Sequence, residues 1–313
     1  MSWTNPTQPP TGTLITSSIY NTDLVDNLIY LKSVLSKSVC NGRLTLETGV
    51  PVSTTDQTAK TTLYFTPFHG NQLALYDGAW TPYSFSELSL SLSGYTLNFN
   101  YDIWGYLSSG TPALESLIWS TNTARATALA LDNGIYIKSG DATRRYLGTI
   151  RITSTTGQCE DSLGLRYVWN THNRVMRRLY CKDTTDSWTY STASWRQANG
   201  VATAGVSEVR VVMGLSENAV ELFNYATVVG SVAASNQIQV GIGIDSTSVN
   251  SAQVFGGLIG TIGGAVSARY IGHPGIGVHQ LQRLEYANIA GTATWYGDNG
   301  AVSQSGMVGY MMG

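Results

Sequence analysis

Charged side chains are scarce in this sequence. Asp, Glu, Lys and Arg make up 12% of its 313 residues, about half of the roughly 25% usual in soluble proteins. The formal net charge is −2, and no run of Lys or Arg approaches the clusters that neutralise phosphates, so nucleic-acid binding is not expected. The densest basic stretch holds Arg166, Arg174, Arg177 and Arg178, interleaved with Tyr167, Val168, Trp169, Val175 and Met176. That alternation reads as a strand pair with one solvated face rather than as a phosphate site.

Cysteine is equally sparse. Cys40, Cys159 and Cys181 form an odd set without CxxC spacing, which indicates neither a disulfide framework nor a zinc site and fits folding in a reducing cytosol. The N-terminus lacks the basic start and apolar core of a secretory signal. Long apolar runs are missing too. The most apolar stretch, Val254 to Val266, carries Gly256, Gly257, Gly260, Gly263 and Gly264 and falls short of the roughly 18 residues that span a bilayer, so no membrane insertion is expected.

Catalytic signatures are also lacking. Of the four histidines, His69, His172, His273 and His279, the last two are too far apart for a helical zinc pair, and no His-Glu-x-x-His motif occurs. Glycoside hydrolysis needs two carboxylates at a set separation, and nothing in the spacing singles out a pair such as Glu160 with Asp183. There is no Gly-x-Ser-x-Gly elbow and no phosphate loop, and the glycines near Gly260 miss the dinucleotide fingerprint. The sequence thus points to a non-enzymatic protein with no catalytic residue, metal or cofactor.

Ser, Thr, Asn, Gln and Gly fill the polar surface instead, with 18 Tyr and 8 Trp, the profile of a turn-rich β protein. Residues 1 to about 21, with three prolines, suit an extended arm. Thr22-Asp23 reads as a helix cap, followed by Leu24, Leu28, Leu31 and Leu35 at heptad spacing, ending near Asn41-Gly42. Two readings of that helix stand open: a surface helix laid on its own subunit, or a short dimeric or trimeric bundle through those leucines. Beyond Pro51, short alternating segments separated by turn signals resemble a sandwich or barrel. Candidate strands include Gln72 to Tyr76, Thr127 to Leu131, Gly134 to Lys138, Arg166 to Asn170, Val175 to Lys182, Trp188 to Gln197, Glu208 to Met213, Ala219 to Val229 and Gln237 to Ile244. Asp132-Asn133-Gly134 marks a tight hairpin. The expected fold is mainly β: an N-terminal arm and short helix (1–50), then antiparallel β-sandwich or jelly-roll-like domains (51–200 and 201–313) divided near Ala198-Asn199-Gly200.

One aromatic constellation suggests binding. Trp188, Tyr190 and Trp195 lie among Ser and Thr in Asp186-Ser-Trp-Thr-Tyr-Ser-Thr-Ala-Ser-Trp-Arg, and such rings can stack on glycans, although a strand buried between two sheets looks the same.

Several segments resemble a group of bacteriophage structural proteins described as tail fibre or virion structural proteins. They are Leu-Tyr-Phe-Thr-Pro-Phe-His-Gly-Asn-Gln-Leu-Ala-Leu-Tyr-Asp-Gly from Leu63, Thr-Arg-Arg-Tyr-Leu-Gly-Thr from Thr143, and Asp-Ser-Trp-Thr-Tyr from Asp186 through Asn199-Gly200. Gly-His-Pro-Gly-Ile-Gly-Val-His from Gly272, Leu-Glu-Tyr from Leu284 and Thr-Trp-Tyr-Gly-Asp from Thr294 complete the likeness, which runs from about residue 60 onward. The resemblance implies a particle component, trimeric, made in the bacterial cytoplasm, displayed on the virion and without catalytic residues. Unlike longer fibres, the chain carries no repetitive shaft after the shared block. The leading expectation is a short head or tail fibre or a capsid decoration protein, anchored to other virion proteins by its arm and helix. A receptor-binding module for host glycan or outer-membrane protein is the alternative, and a glycan depolymerase ranks last.

Overall fold

The computed structural model describes residues 3–6, 8, 10–230, 236–260, 263–300 and 303–313, with side chains described outside 32–36. The alternation in the strand Val220–Gly230 sets the architecture. Val220, Leu222, Ala226 and Val228 point one way and are buried, while Glu221, Phe223, Tyr225 and Val229 point the other, as the two-residue period of a strand requires. This strand is the middle of an antiparallel series running Met176–Lys182, Gly306–Met312, Val220–Gly230, Gly263–Gly272 and Val254–Gly256. Ala293–Tyr296 pairs with its far end and carries Ser187–Thr189 in turn.

A second sheet faces the first. It contains Gln57–Lys60, Cys159–Asp161, Leu165–Arg166, Glu208–Met213, Gly277–Asn288, Gln237–Ile244 and Leu258–Ile259. Val211, Ile238, Val240, Ile242 and Leu281 from this sheet meet Leu179, Leu222, Val228, Ala268, Trp295 and Met307 from the first in one buried core. Two sheets with their apolar faces together make a β-sandwich.

The preceding part of the chain forms its own core from Leu44, Leu63, Phe65, Leu73, Leu75, Ile103, Leu147 and Ile150. These residues come from a sheet ordered Thr111–Ile118, Asn100–Ser108, Asp141–Arg151, Ile135–Lys138 and Leu129–Asp132, from the three strands Gly42–Thr45, Thr62–Pro67 and Leu88–Ser91, and from the hairpin Gln72–Tyr76 with Trp80–Ser84. Asp132-Asn133-Gly134 turns as expected: Asn133 and Gly134 have φ of 52° and 82°, the pair of left-handed residues that a type I′ hairpin needs.

The segments on either side of Ala198-Gly200, expected as separate units, contribute strands to the same sheets. Met176–Lys182 pairs along its whole length with Gly306–Met312, and Leu165–Arg166 pairs in parallel with Glu208–Met213. Complementary buried faces, not nearness in sequence, select these partners.

The N-terminal region departs from expectation in detail. The helix begins at Ser17, because the Thr16 hydroxyl accepts from the Ile19 N–H at 3.3 Å and supplies the cap a turn and a half before Thr22. Thr22 and Asp23 lie inside a π-helical turn, Asn21–Asp26, after which Asn27–Ser36 is α-helical. The helix therefore ends before Asn41, which leads directly into the strand Gly42–Thr45. Part of the arm folds back on the helix. The buried Asn27 amide accepts from Thr4 N–H at 2.9 Å and donates to Thr4 C=O at 2.7 Å. At the other end, Arg145 clamps the exit from the helix by donating to the carbonyls of Lys37 at 3.3 Å and of Val39 and Ala74 at 2.9 Å. Arg145 is 1% exposed.

Candidate assembly surfaces

Three of the four heptad leucines are uncovered by their own chain. Leu24, Leu28 and Leu31 are 45%, 56% and 39% exposed, and Tyr20 and Ile29 beside them are exposed too. Leu35 lies among the residues whose side chains are outside the description. A helix laid flat on its own subunit would hide this stripe; here it faces outward. Completing the burial of three half-exposed leucines is worth about 1 kcal/mol each. About 3 kcal/mol per helix falls short of what association of two chains costs, so this stripe alone would not hold copies together.

A second exposed surface is the outer face of the seven-stranded sheet. Register places Val308, Phe223, Arg269 and Val254 in one row, and Tyr310, Glu221 and Ile271 in the next. Phe223, Ile271, Val308 and Tyr310 are all exposed. A solvated face of an antiparallel sheet normally reads polar, whereas this one is apolar and aromatic. Its Glu221 and Arg269 are tied to each other within the sheet. Glu221 accepts from the Tyr310 hydroxyl at 2.5 Å and from the Arg269 guanidinium, and these bonds hold its carboxyl below the usual range.

The aromatic constellation is built into the sandwich edge. Trp188 pairs with Trp295 across adjacent strands, and its indole N–H donates to Glu285 Oε2 at 2.8 Å. Arg196 Nε donates to the other oxygen of the same carboxylate at 2.7 Å. Glu285 is 1% exposed, and burial raises its carboxyl above the ordinary value against the opposing pull of Trp188 and Arg196. The Arg196 guanidinium lies 3.8 Å from the Tyr190 ring centre, and Tyr190 donates to the Ser194 carbonyl at 2.6 Å. Trp188 and Tyr190 both pack on the sandwich core, whereas Trp195 sits apart with its ring 5.2 Å from that of Tyr286. The structure thus joins Trp188 to Tyr190 through Arg196 and Glu285, and it places an arginine over the Tyr190 face that a sugar would use. The strand expected from Trp188 to Gln197 is interrupted, with only Ser187–Thr189 and Arg196–Gln197 paired.

Several titratable groups are buried. Cys40, Cys159 and Cys181 are free and buried, and burial pushes the Cys181 thiol up to about 12, so it carries no thiolate near neutrality. His279 Nδ1 lies 2.8 Å from Asp245 Oδ2. Asp102, in the second core, has its carboxyl raised by burial although Arg125 contacts it at 2.8 Å. Among the described residues no group of three or more His, Cys, Asp or Glu is placed to hold a metal ion.

Sequence reading missed the outer face of Phe223, Val308 and Tyr310. The strand around Phe223 was legible, but which of its faces met the core was not. Its one available signal was an aromatic residue set against Glu221 and Tyr225 on the otherwise polar side.

No protein-family model matches the chain, and no curated protein matches it. Among solved structures it is similar to a β-porphyranase of glycoside hydrolase family 86 from the human gut bacterium Bacteroides plebeius, at 10% identity and a TM-score of 0.15. The match covers 76% of this chain and spans 38% of the length of that one. Superposition that poor carries no inference about fold or activity.

Proposed function

We propose that this chain is a structural component of a bacteriophage particle, a short fibre or decoration protein that works as a homo-oligomer, with a trimer favoured. One observation carries the assembly part of this reading: Leu24, Leu28 and Leu31 stand at heptad spacing on a helix and are left exposed by their own chain. An apolar seam of that spacing is best covered by the identical seam of another copy, each side chain entering a hole between four on its neighbour. The apolar outer face around Phe223 and Val308 supplies the additional area that the seam needs. A surface poor in charge helps, because packing it against a neighbour desolvates few ions, each of which costs several kcal/mol when buried. The particle assignment is supported by the resemblance of the segments from Leu63, Thr143 and Gly272 to phage structural proteins.

Mass spectrometry of gradient-purified particles from cells producing this chain tests the assignment. The chain is expected to sediment with particles at a fixed ratio to the other virion proteins. Its recovery only in the particle-free supernatant overturns the assignment.

A further inference from the structure

Between the loop Val52–Asp56 and the start of the strand Met176–Lys182 lies an open groove of about 570 Å³, within the size range of small-ligand sites, roughly 300 to 1,000 Å³. Its walls hold an unusual concentration of positive charge for so weakly charged a chain. Arg166 Nη1 and Arg177 Nη2 grip the two oxygens of Asp161 at 3.0 and 2.6 Å. Arg166 also donates from Nε and Nη2 to the Arg178 carbonyl, at 3.0 and 2.8 Å, and Arg177 donates to the Ser53 carbonyl at 3.0 Å. Behind them the buried Arg43 guanidinium donates only to carbonyls, those of Pro51 at 3.1 Å, Gly313 at 2.9 Å and Asn173.

Two guanidiniums therefore share one carboxylate, and the third has backbone carbonyls alone. Arg178, exposed at the mouth, adds a fourth positive charge and has no ion-pair partner among the described residues. The one acid lining the groove is Asp56, whose Oδ1 accepts from Leu163 N–H at 2.9 Å; Asp161 and Arg43 lie behind the wall. Four positive charges against two negative leave an excess of two in a chain whose net charge is −2. Walls of low dielectric focus such a field. Arg166 and Arg177 are already fixed by their own hydrogen bonds, so little side-chain freedom is lost when an anion arrives.

We propose that this groove binds an acidic saccharide, a sugar unit carrying a carboxylate or a phosphate. The remaining lining suits a sugar: Thr54 and Thr55 expose hydroxyls, and Val52, Leu163 and Met176 offer apolar contact to C–H faces. Other anions fit less well. No aromatic residue lines the groove, so a nucleobase finds no stacking surface, and the basic residues are confined to one cavity rather than following a phosphate backbone. An acidic peptide adding to the sheet edge is blocked as well, because Tyr180 N–H and Lys182 N–H on that edge already donate at 3.0 Å to the Leu163 and Gly205 carbonyls.

Calorimetric titration of the full chain tests this with five probes: trigalacturonate, mannose 6-phosphate, neutral maltotriose, hexaglutamate and oligothymidylate. At least one acidic sugar is expected to bind about tenfold or more tightly than maltotriose and to weaken as salt rises. The two acidic sugars separate carboxylate from phosphate recognition. Arg178→Ala and Thr54→Glu, both at exposed positions, are each expected to lower that affinity about tenfold without shifting the melting temperature. Acidic sugars binding no better than maltotriose, tighter binding of hexaglutamate or oligothymidylate, or an Arg178→Ala protein that binds like the wild type overturns the proposal. The groove shares no residue with the N-terminal helix, so its failure leaves the assembly reading standing.

Discussion

Trp188 and Glu285 join the two sheets of the sandwich: the indole N–H of one donates at 2.8 Å to the carboxylate of the other, which is buried near the C-terminal end of Gly277–Asn288. The tryptophan that looked like a sugar platform in sequence is thus a half-buried ring tied to a buried carboxylate. Trp188→Ala removes the packing of a large ring and leaves Glu285 with Arg196 and the Asn199 N–H, which is expected to cost about 2 to 4 kcal/mol. Trp188→Phe keeps most of the ring and removes the N–H, with an expected cost of about 1 to 2 kcal/mol. Urea unfolding measures both. Unchanged stability in Trp188→Ala, together with lost binding to neutral glycans, would return Trp188 to the surface-ligand role.

Arg145 controls how firmly the helix is seated. Its three backbone acceptors include Lys37 and Val39, on the segment joining helix to body. Arg145→Met is expected to destabilise the protein by about 3 kcal/mol, because buried carbonyls lose a charged donor. It should also speed trypsin cleavage after Lys37. Cleavage at the wild-type rate, with wild-type stability, contradicts the clamp.

His172 predicts an acid sensitivity. Burial first, then the charges of Arg145 and Arg174, push its imidazole down to about 3, against about 6.5 in an unfolded chain. Between these values the unfolded chain binds a proton that the folded chain refuses, so stability falls as pH drops from about 6.5 toward 3, by about 1 kcal/mol per unit. Asp102 and Glu285, whose carboxyls burial raises, tilt the curve the other way. The readout is therefore the difference between wild type and His172→Asn across that window. The variant should lose less stability on acidification, and an identical slope rules out the imidazole as the source.

The strands that sequence revealed are those whose polar and apolar residues alternate cleanly or that end at strong turns. Gln72–Tyr76, Glu208–Met213 and Gln237–Ile244 were legible to their end residues. Gly277–Asn288, the longest strand, was not, because its core-facing positions include His279, Arg283 and Glu285, all buried, and a polar residue facing the core erases the pattern that reading depends on. Gly306–Met312 escaped through its glycines, one of which, Gly309, lies so close to the Glu221 carbonyl that a Cβ there would overlap it. The leucine stripe was visible as spacing, but its exposure depends on where the helix leaves the body, which Arg145 and the π-helical turn decide. Arg166 and Arg177 were expected in a strand pair with one solvated face. Instead they are buried around Asp161, an arrangement across three strands that the alternation of a single strand does not encode.

Self-association through the helix is the central claim, and sedimentation velocity of the full chain at about 10 to 50 µM addresses it most directly. The wild type is expected to sediment as an oligomer, with a trimer favoured. Leu24→Ser/Leu28→Ser/Leu31→Ser together should yield a monomer whose β-sheet circular dichroism is unchanged. A wild type that stays monomeric over that range, or a triple variant that remains assembled, contradicts it.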